Sequence, residues 1–139
     1  MKNRMIRVNA ARIFILFSAL ALLSVSIMAF VNPQSVMDLV QVRLGNTDAF
    51  SSIRGVYGGV GLALFISLIY LMLTNIRQGL AFLCMIWGFY ALSRMITIAV
   101  EGTLGSFGTQ WLVTESVLFV IAAVLWLATR SVSTTQTTR

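Results

Sequence analysis

The sequence predicts an all-α integral membrane protein built as a bundle of four antiparallel helices. Of its 139 residues, 58% are hydrophobic and only 10% are charged, whereas soluble domains have about 25% charged residues. Four apolar segments come close to the length of about 20 residues that spans a bilayer. The net charge of +6 lies mostly between and beside these segments, so it indicates membrane topology and not a nucleic-acid partner.

A single membrane domain of residues 1–139 contains four predicted spans, residues 13–31, 56–73, 80–100 and 111–129. The first span follows a basic stretch, which is also typical of a signal peptide. Its apolar run is longer than the usual ~7 to 15 residues of such a peptide, so a membrane span is favoured. Residues 130–139 are polar and unpatterned and are predicted to form a disordered tail.

Basic residues predict the orientation of the spans. With the N-terminus inside, the cytoplasmic segments carry seven Lys or Arg residues, and the outer segments carry only Arg43 and Arg54. Because Lys and Arg favour the cytoplasmic side of a membrane, we expect both termini in the cytoplasm.

The long first outer loop, residues 32–55, predicts a short amphipathic helix. Asn32 followed by Pro33 is typical of a helix N-cap and first turn. Apolar residues then recur at helical spacing with polar residues on the opposite side. The apolar set is Val36, Met37, Val40 and Leu44, and the polar set is Asp38, Gln41 and Arg43. We expect Gly45 and Asn46 to end this helix.

Small residues at intervals of four mark the second span. They are Gly55, Gly59, Ala63 and Ser67. In a membrane helix such a ladder allows a neighbouring backbone to approach closely, so it predicts helix packing within the bundle or against a second copy of the chain. A phosphate-binding loop is not favoured, since the preceding strand and the following Lys and Ser or Thr are missing.

The residue inventory restricts the chemistry. The chain has no His and one Cys, which excludes a His and Cys metal site, a dithiol redox pair and a Ser-His triad. We expect neither a metal nor another cofactor. Only four acids are present, Asp38, Asp48, Glu101 and Glu115.

Two charges lie inside the predicted spans. Arg94 lies six residues before the end of the third span, about 9 Å deep, and Glu115 lies four residues past Trp111, about 6 Å deep in the fourth. Because these spans are antiparallel and joined outside, the two charges reach a similar depth in the same half of the bilayer. We therefore predict that they pair.

Further polar residues extend this predicted site into an outer-facing charged pocket. Tyr90, Thr97 and Glu101 share one helical face with Arg94, and Arg54 and Tyr57 lie at the top of the second span. A central charge costs about 2.5 to 3.5 kcal/mol to insert, while an interhelical polar contact returns about 0.6 kcal/mol. This imbalance leaves two interpretations open, a site for ligand binding or proton coupling and a purely structural lock between helices. The candidate site residues are Arg54, Tyr57, Tyr90, Arg94, Glu101 and Glu115.

These motifs resemble the domain-of-unknown-function 4345 family of small bacterial membrane proteins. The resemblance rests on the proline that opens the first outer loop, on IRGVYGG, on the arginine of LSRMITI and on the glutamate of TESV, and it covers roughly residues 13–128. It implies four helices and a bacterial envelope, and hence the inner membrane, but no activity. The family's motif residues correspond here to Arg54, Gly55, Gly59, Arg94 and Glu115.

Three classes of function fit the sequence. The first is a non-enzymatic inner-membrane protein whose charged pocket binds a small polar ligand, a lipid headgroup or a partner protein. The second is a small proton-coupled transporter using Glu115; small multidrug exporters share the helix count, but they carry their glutamate in the first span, and residues 13–31 contain no acid. The third is a membrane-embedded lipid-modifying enzyme with Glu115 or Glu101 as acid or base. Membrane lipids are expected partners, and a homo-oligomer stays open.

Overall fold

The computed structural model describes residues 2–130, which form helices and contain no strand. The helices in chain order are α1 (Lys2–Val31), α2 (Pro33–Asp38), α3 (Thr47–Ile53), a π-helical segment (Arg54–Val60), α4 (Gly61–Thr74), α5 (Ile76–Glu101) and α6 (Ser106–Arg130). From α3 to α4 the chain runs as one continuous helix. The all-α class is confirmed.

Four helices are long and apolar enough to cross a membrane, and each contains one predicted span. They are Asn3–Val31, Thr47–Thr74, Ile76–Glu101 and Ser106–Thr129. Large apolar side chains are exposed on all four, as lipid-facing surfaces require. The helices extend beyond the apolar runs because helix ends depend on capping and not on hydropathy. Arg130 is the last residue of α6, and the rest of the predicted tail lies outside the described residues.

The chain packs as two compact units. One contains the residues up to Ile15 together with those from Leu71 onward, and the other is Leu16–Tyr70. The first unit is dominated by α5 and α6, which pack along each other. Because only the four residues 102–105 separate them, they form an antiparallel hairpin, as the short connection predicts. Gly102, with φ of 102°, ends α5 in a backbone conformation that favours glycine.

The second unit joins the end of α1 to the connection that follows it. Ala29 of α1 and Val36 and Met37 of α2 form a buried cluster, against which Leu44 and Ile53 pack. Asn32 is the N-cap of α2, with its side chain accepting a hydrogen bond from the Gln34 backbone, as predicted. Val36 and Met37 on the apolar face of α2 are therefore covered by the protein itself.

The end of α2 was predicted wrongly. The helix stops at Asp38 and not at Gly45, and Asn46 is the N-cap of α3, accepting from Ala49 N at 2.8 Å. The Val42 N–H donates to Met37 O at 3.0 Å and the Gln41 N–H donates to Asp38 O at 3.1 Å, which together form a Schellman motif.

Two features make this helix end difficult to predict from the sequence. The left-handed residue of the motif is Gln41, with φ of 58°, where glycine or asparagine is usual. The Gln34 side chain then holds the returning chain, donating to Asp38 Oδ1 and Val42 O and accepting from Leu44 N. Leu44 accordingly reaches the buried cluster from the loop and not from the helix.

Gln41→Gly is expected to raise the free energy of unfolding by about 1 kcal/mol. The substitution removes the Cβ that makes a left-handed backbone costly, while the two backbone hydrogen bonds of the motif remain. Thermal unfolding in detergent, followed by circular dichroism, measures the change. Gln41→Ala is the matched control and should give no gain, because alanine keeps the Cβ; equal gains in both variants would contradict the explanation.

Candidate ligand site at an ion pair between α5 and α6

Arg94 continues the buried face of α5. Leu80, Leu83, Trp87 and Ala91 are the buried residues of this stripe, at spacings of three and four. Arg94 follows three residues later and is partly buried. A residue at this spacing points to the same side of the helix, so the arginine occupies a position where an apolar residue is the usual choice.

Glu115 lies on a matching face of α6. The buried residues of this helix are Glu115, Ala122 and Thr129, separated by intervals of seven. Residues seven apart lie on one side of a helix. Two small residues and one acid at intervals of seven are a sequence signal for this face, in addition to the isolated charge of Glu115. This signal identifies the α5-facing side of α6 directly.

The two charges form a bidentate ion pair. Arg94 Nε donates to Glu115 Oε2 at 2.6 Å, and Arg94 Nη2 donates to Glu115 Oε1 at 2.8 Å. The Glu115 side chain is 4% exposed and that of Arg94 is 23% exposed. Both carboxylate oxygens therefore accept from the guanidinium, and the arginine side chain remains partly exposed.

The pair lies well inside both helices. Arg94 is seven residues from the end of α5, about 10 Å along the axis, and Glu115 is nine residues from the start of α6, about 13 Å. Antiparallel helices place these positions side by side. The predicted meeting of the two charges is thus found within one unit of the chain.

The α5–α6 contact continues away from the pair in the same register. A Cβ on Gly88 would meet the ring of Phe119 at 3.1 Å. Farther along, the Arg77 guanidinium carbon lies 5.4 Å from the centre of the Trp126 ring. The ion pair is one of several contacts that hold this register.

Two members of the predicted stripe on α5, Thr97 and Glu101, do not bond to Arg94. Thr97 donates to Ser93 O at 2.9 Å, so its hydroxyl bonds to its own helix. Tyr90 lies one turn from Arg94, is exposed, and packs its ring 6.2 Å from that of Trp87. Glu101 is exposed at the end of α5, about 10 Å from Arg94 along the axis, which is beyond hydrogen-bond reach.

Arg54 and Tyr57 lie in the π-helical segment, which belongs to the other unit. Arg54 Nε donates to Phe30 O at 3.3 Å, near the C-terminus of α1. Carbonyl groups there lack helical partners, and a cation at that end of a helix is favourable. Arg54 thus makes a structural contact with α1, which the sequence prediction of a binding role did not foresee. Tyr57 is exposed.

The glycines that meet a neighbouring helix are not those of the predicted ladder. A Cβ on Gly55 or Gly59 would have nothing within 4 Å, and Ala63 is exposed. A Cβ on Gly58 would meet the Phe30 ring at 3.0 Å, and one on Gly61 would meet Ser26 Cβ at 3.0 Å. Packing within this unit therefore uses positions 58 and 61.

The π-helical segment meets α1 at Gly58 and not at Gly55 or Gly59. The buried Ser26 hydroxyl donates to Gly58 O at 2.6 Å and binds the segment to α1. Ser67, the last member of the predicted ladder, lies beyond the segment and is partly buried.

Among residues 2–130 no group of three or more His, Cys, Asp or Glu side chains is arranged to hold a metal ion. At the ion-pair site the Arg94 side chain is partly exposed. A guanidinium carries five N–H donors, so the site is suited to an oxygen acceptor of a bound molecule.

Comparison with known proteins gave one match. The model of the family described as Domain of unknown function (DUF4345) matches residues 10–127. Neither the curated proteins nor the solved structures gave a match. The family match covers every residue of the ion-pair site.

Proposed function

We propose that this chain, which belongs to the family Domain of unknown function (DUF4345), is a non-enzymatic multi-pass protein of the bacterial inner membrane that binds a small polar ligand at Arg94. One observation carries the proposal. An arginine inside an apolar helix pair has its guanidinium fixed by both oxygens of a buried carboxylate, while its side chain is still partly exposed.

The energetics of the pair support a ligand. Arginine and glutamate within a membrane span are costly and are usually functional or paired. Pairing with Glu115 satisfies the carboxylate and neutralises the site, so the site does not require a strongly anionic partner. A ligand with an oxygen acceptor, such as a hydroxyl, a phosphate or a lipid headgroup, would bind the guanidinium of Arg94.

Glu115 supports this arrangement as a positioning residue. Two parallel N–H···O bonds fix both the position and the plane of the guanidinium. A fixed donor loses less entropy on binding than a mobile arginine would. Proton-coupled transport is the second function that the sequence left open, but both Glu115 oxygens already accept hydrogen bonds from Arg94.

Arg94→Lys is expected to weaken ligand binding while retaining the charge opposite Glu115. Lysine is a point cation and cannot reproduce the bidentate geometry. Glycerol 3-phosphate and phosphoethanolamine serve as probes, and their binding to the full chain in detergent is measured by calorimetric titration. We expect saturable binding to the unmodified protein and at least about tenfold weaker binding to Arg94→Lys.

Arg43→Lys is the matched control, because it makes the same exchange at an exposed arginine of the other unit. It should leave probe binding unchanged. Absence of binding by both probes to the unmodified chain would contradict the proposed function, and so would equal binding to Arg94→Lys.

Proton-coupled transport predicts a different result. In proteoliposomes with an imposed proton gradient, transport through Glu115 requires that Glu115→Gln remove gradient-dependent flux. A proton flux that is the same in the unmodified protein, in Glu115→Gln and in empty vesicles would remove this second function.

A further inference from the structure

The α5–α6 hairpin is connected by residues 102–105 at one end, and a second cationic site lies at its other end. Arg77 is the second residue of α5, two positions after the N-cap Asn75. It is partly buried, with its guanidinium carbon 5.4 Å from the centre of the Trp126 ring. Its Nε atom is buried and has no hydrogen-bond partner among the described residues.

This burial is physically unusual. A buried polar nitrogen normally has a hydrogen-bond partner, and a buried cation normally has a counter-charge. The position of Arg77 in the first turn of α5 makes its charge more unfavourable, since the N-terminus of a helix carries a partial positive charge that disfavours a cation. Contact with the tryptophan ring compensates only in part.

The acids of the same unit are too far away to neutralise Arg77. Glu115 precedes Trp126 by 11 residues, about 16 Å along α6. Glu101 follows Arg77 by 24 residues, about 36 Å along α5. A salt bridge requires atoms within about 4 Å. Among residues 2–130, neither glutamate of this unit reaches Arg77.

A second arginine reaches the same part of α6. Arg7 Nη1 donates to Ala128 O at 3.5 Å, two residues beyond Trp126. Arg7 is exposed, so its charge remains available to a partner. Arg7, Arg77 and Trp126 are called the basic cluster below. The cluster combines two cations with an aromatic ring of the type that is enriched where membrane and water meet.

We propose that the basic cluster binds the phosphate of an anionic phospholipid headgroup. A phosphate supplies the negative charge and the oxygen acceptors that Arg77 lacks, and arginine recognises phosphate through several N–H donors. Basic pockets between membrane helices bind anionic headgroups in this way. The site is separate from the ion-pair site and does not depend on the proposed function.

The proposal predicts selective binding of anionic lipid. The full chain is reconstituted in phosphatidylcholine nanodiscs that contain a small fraction of one test lipid. The test lipid is either phosphatidylglycerol or a spin-labelled phosphatidylcholine. After exchange into detergent, the test lipid that stays bound to the protein is quantified by mass spectrometry. We expect retention of phosphatidylglycerol over phosphatidylcholine. Arg77→Gln should weaken this retention about fivefold. Arg7→Gln should also weaken it, and because Arg7 is exposed, this substitution avoids a folding defect.

Arg43→Gln is the matched control, because it removes the same charge from an exposed position in the other unit. It should retain phosphatidylglycerol as the unmodified chain does. Equal retention of both lipids, or equal losses in Arg7→Gln, Arg77→Gln and Arg43→Gln, would overturn the proposal. Competition by millimolar inorganic phosphate that displaces the lipid completely would assign the site to free phosphate instead and would also overturn it.

The two sites fail independently. If the basic cluster does not bind lipid, probe binding at Arg94 is unaffected, because Arg77 lies 17 residues away on α5, about 25 Å along the axis. If the proposed function fails, Arg94→Lys still retains phosphatidylglycerol.

Discussion

Arg94→Leu is expected to lower the free energy of unfolding by about 3 kcal/mol. The substitution removes both hydrogen bonds to Glu115 and leaves a carboxylate that is 4% exposed without its counter-charge. Such a group cannot recover hydration without opening the α5–α6 contact. Glu115→Leu should also be destabilising, but less so, because the longer and more exposed arginine side chain can reach water or headgroups.

Unfolding in mixed micelles, followed by circular dichroism, measures both changes. Ser93→Leu is a suitable control, since it places the same side chain at the neighbouring exposed position. It should change the unfolding free energy by less than about 0.5 kcal/mol. A loss in Arg94→Leu no larger than that in Ser93→Leu would show that the pair contributes nothing to folding.

The double substitution Arg94→Leu with Glu115→Leu separates structure from binding. A buried ion pair can often be replaced by apolar residues without loss, so the double variant should recover most of the stability lost by either single variant. Under our proposal it folds but no longer binds the headgroup probes. If the ion pair only fixes the register of α5 against α6, the double variant should fold and should also keep the phenotype of the unmodified protein.

Several parts of this arrangement were predictable from the sequence. The four long helices follow from apolar runs of sufficient length, and Asn32 before Pro33 marks the start of α2. The meeting of Arg94 and Glu115 follows from two antiparallel helices with a short connection, since the chain length then fixes which residues are level. These inferences need only helix geometry and connectivity.

Other parts depend on local backbone geometry that composition does not reveal. Gln41 adopts a left-handed conformation that its side chain does not favour, because the Gln34 side chain holds the following loop. Arg54 was assigned to a pocket on charge alone, whereas its contact with Phe30 O depends on where α1 ends. The interval of four selects Gly55 and Gly59, whereas the glycines that meet α1 are Gly58 and Gly61, three residues apart.

Gly61→Ala tests that last point and should lower the free energy of unfolding by about 1 to 3 kcal/mol. The added Cβ would lie 3.0 Å from Ser26 Cβ and 3.6 Å from Ser26 Cα. Ser26 is 1% exposed and its Cβ is attached directly to the α1 backbone, so the contact is relieved only by moving the helix. At Gly58 the obstacle is the Phe30 ring, which is 45% exposed and able to rotate, so Gly58→Ala should cost less.

Gly59→Ala is the matched control for Gly61→Ala. Its Cβ would have nothing within 4 Å, and alanine is the better helix former, so the change should be neutral or stabilising by up to about 1 kcal/mol. Adding Ser26→Ala to Gly61→Ala should not restore stability, because alanine keeps the obstructing Cβ and loses the hydrogen bond to Gly58 O. The packing described for this unit would be wrong if Gly59→Ala were the more damaging change, since a ladder at intervals of four buries Gly59 and leaves Gly61 outside the contact.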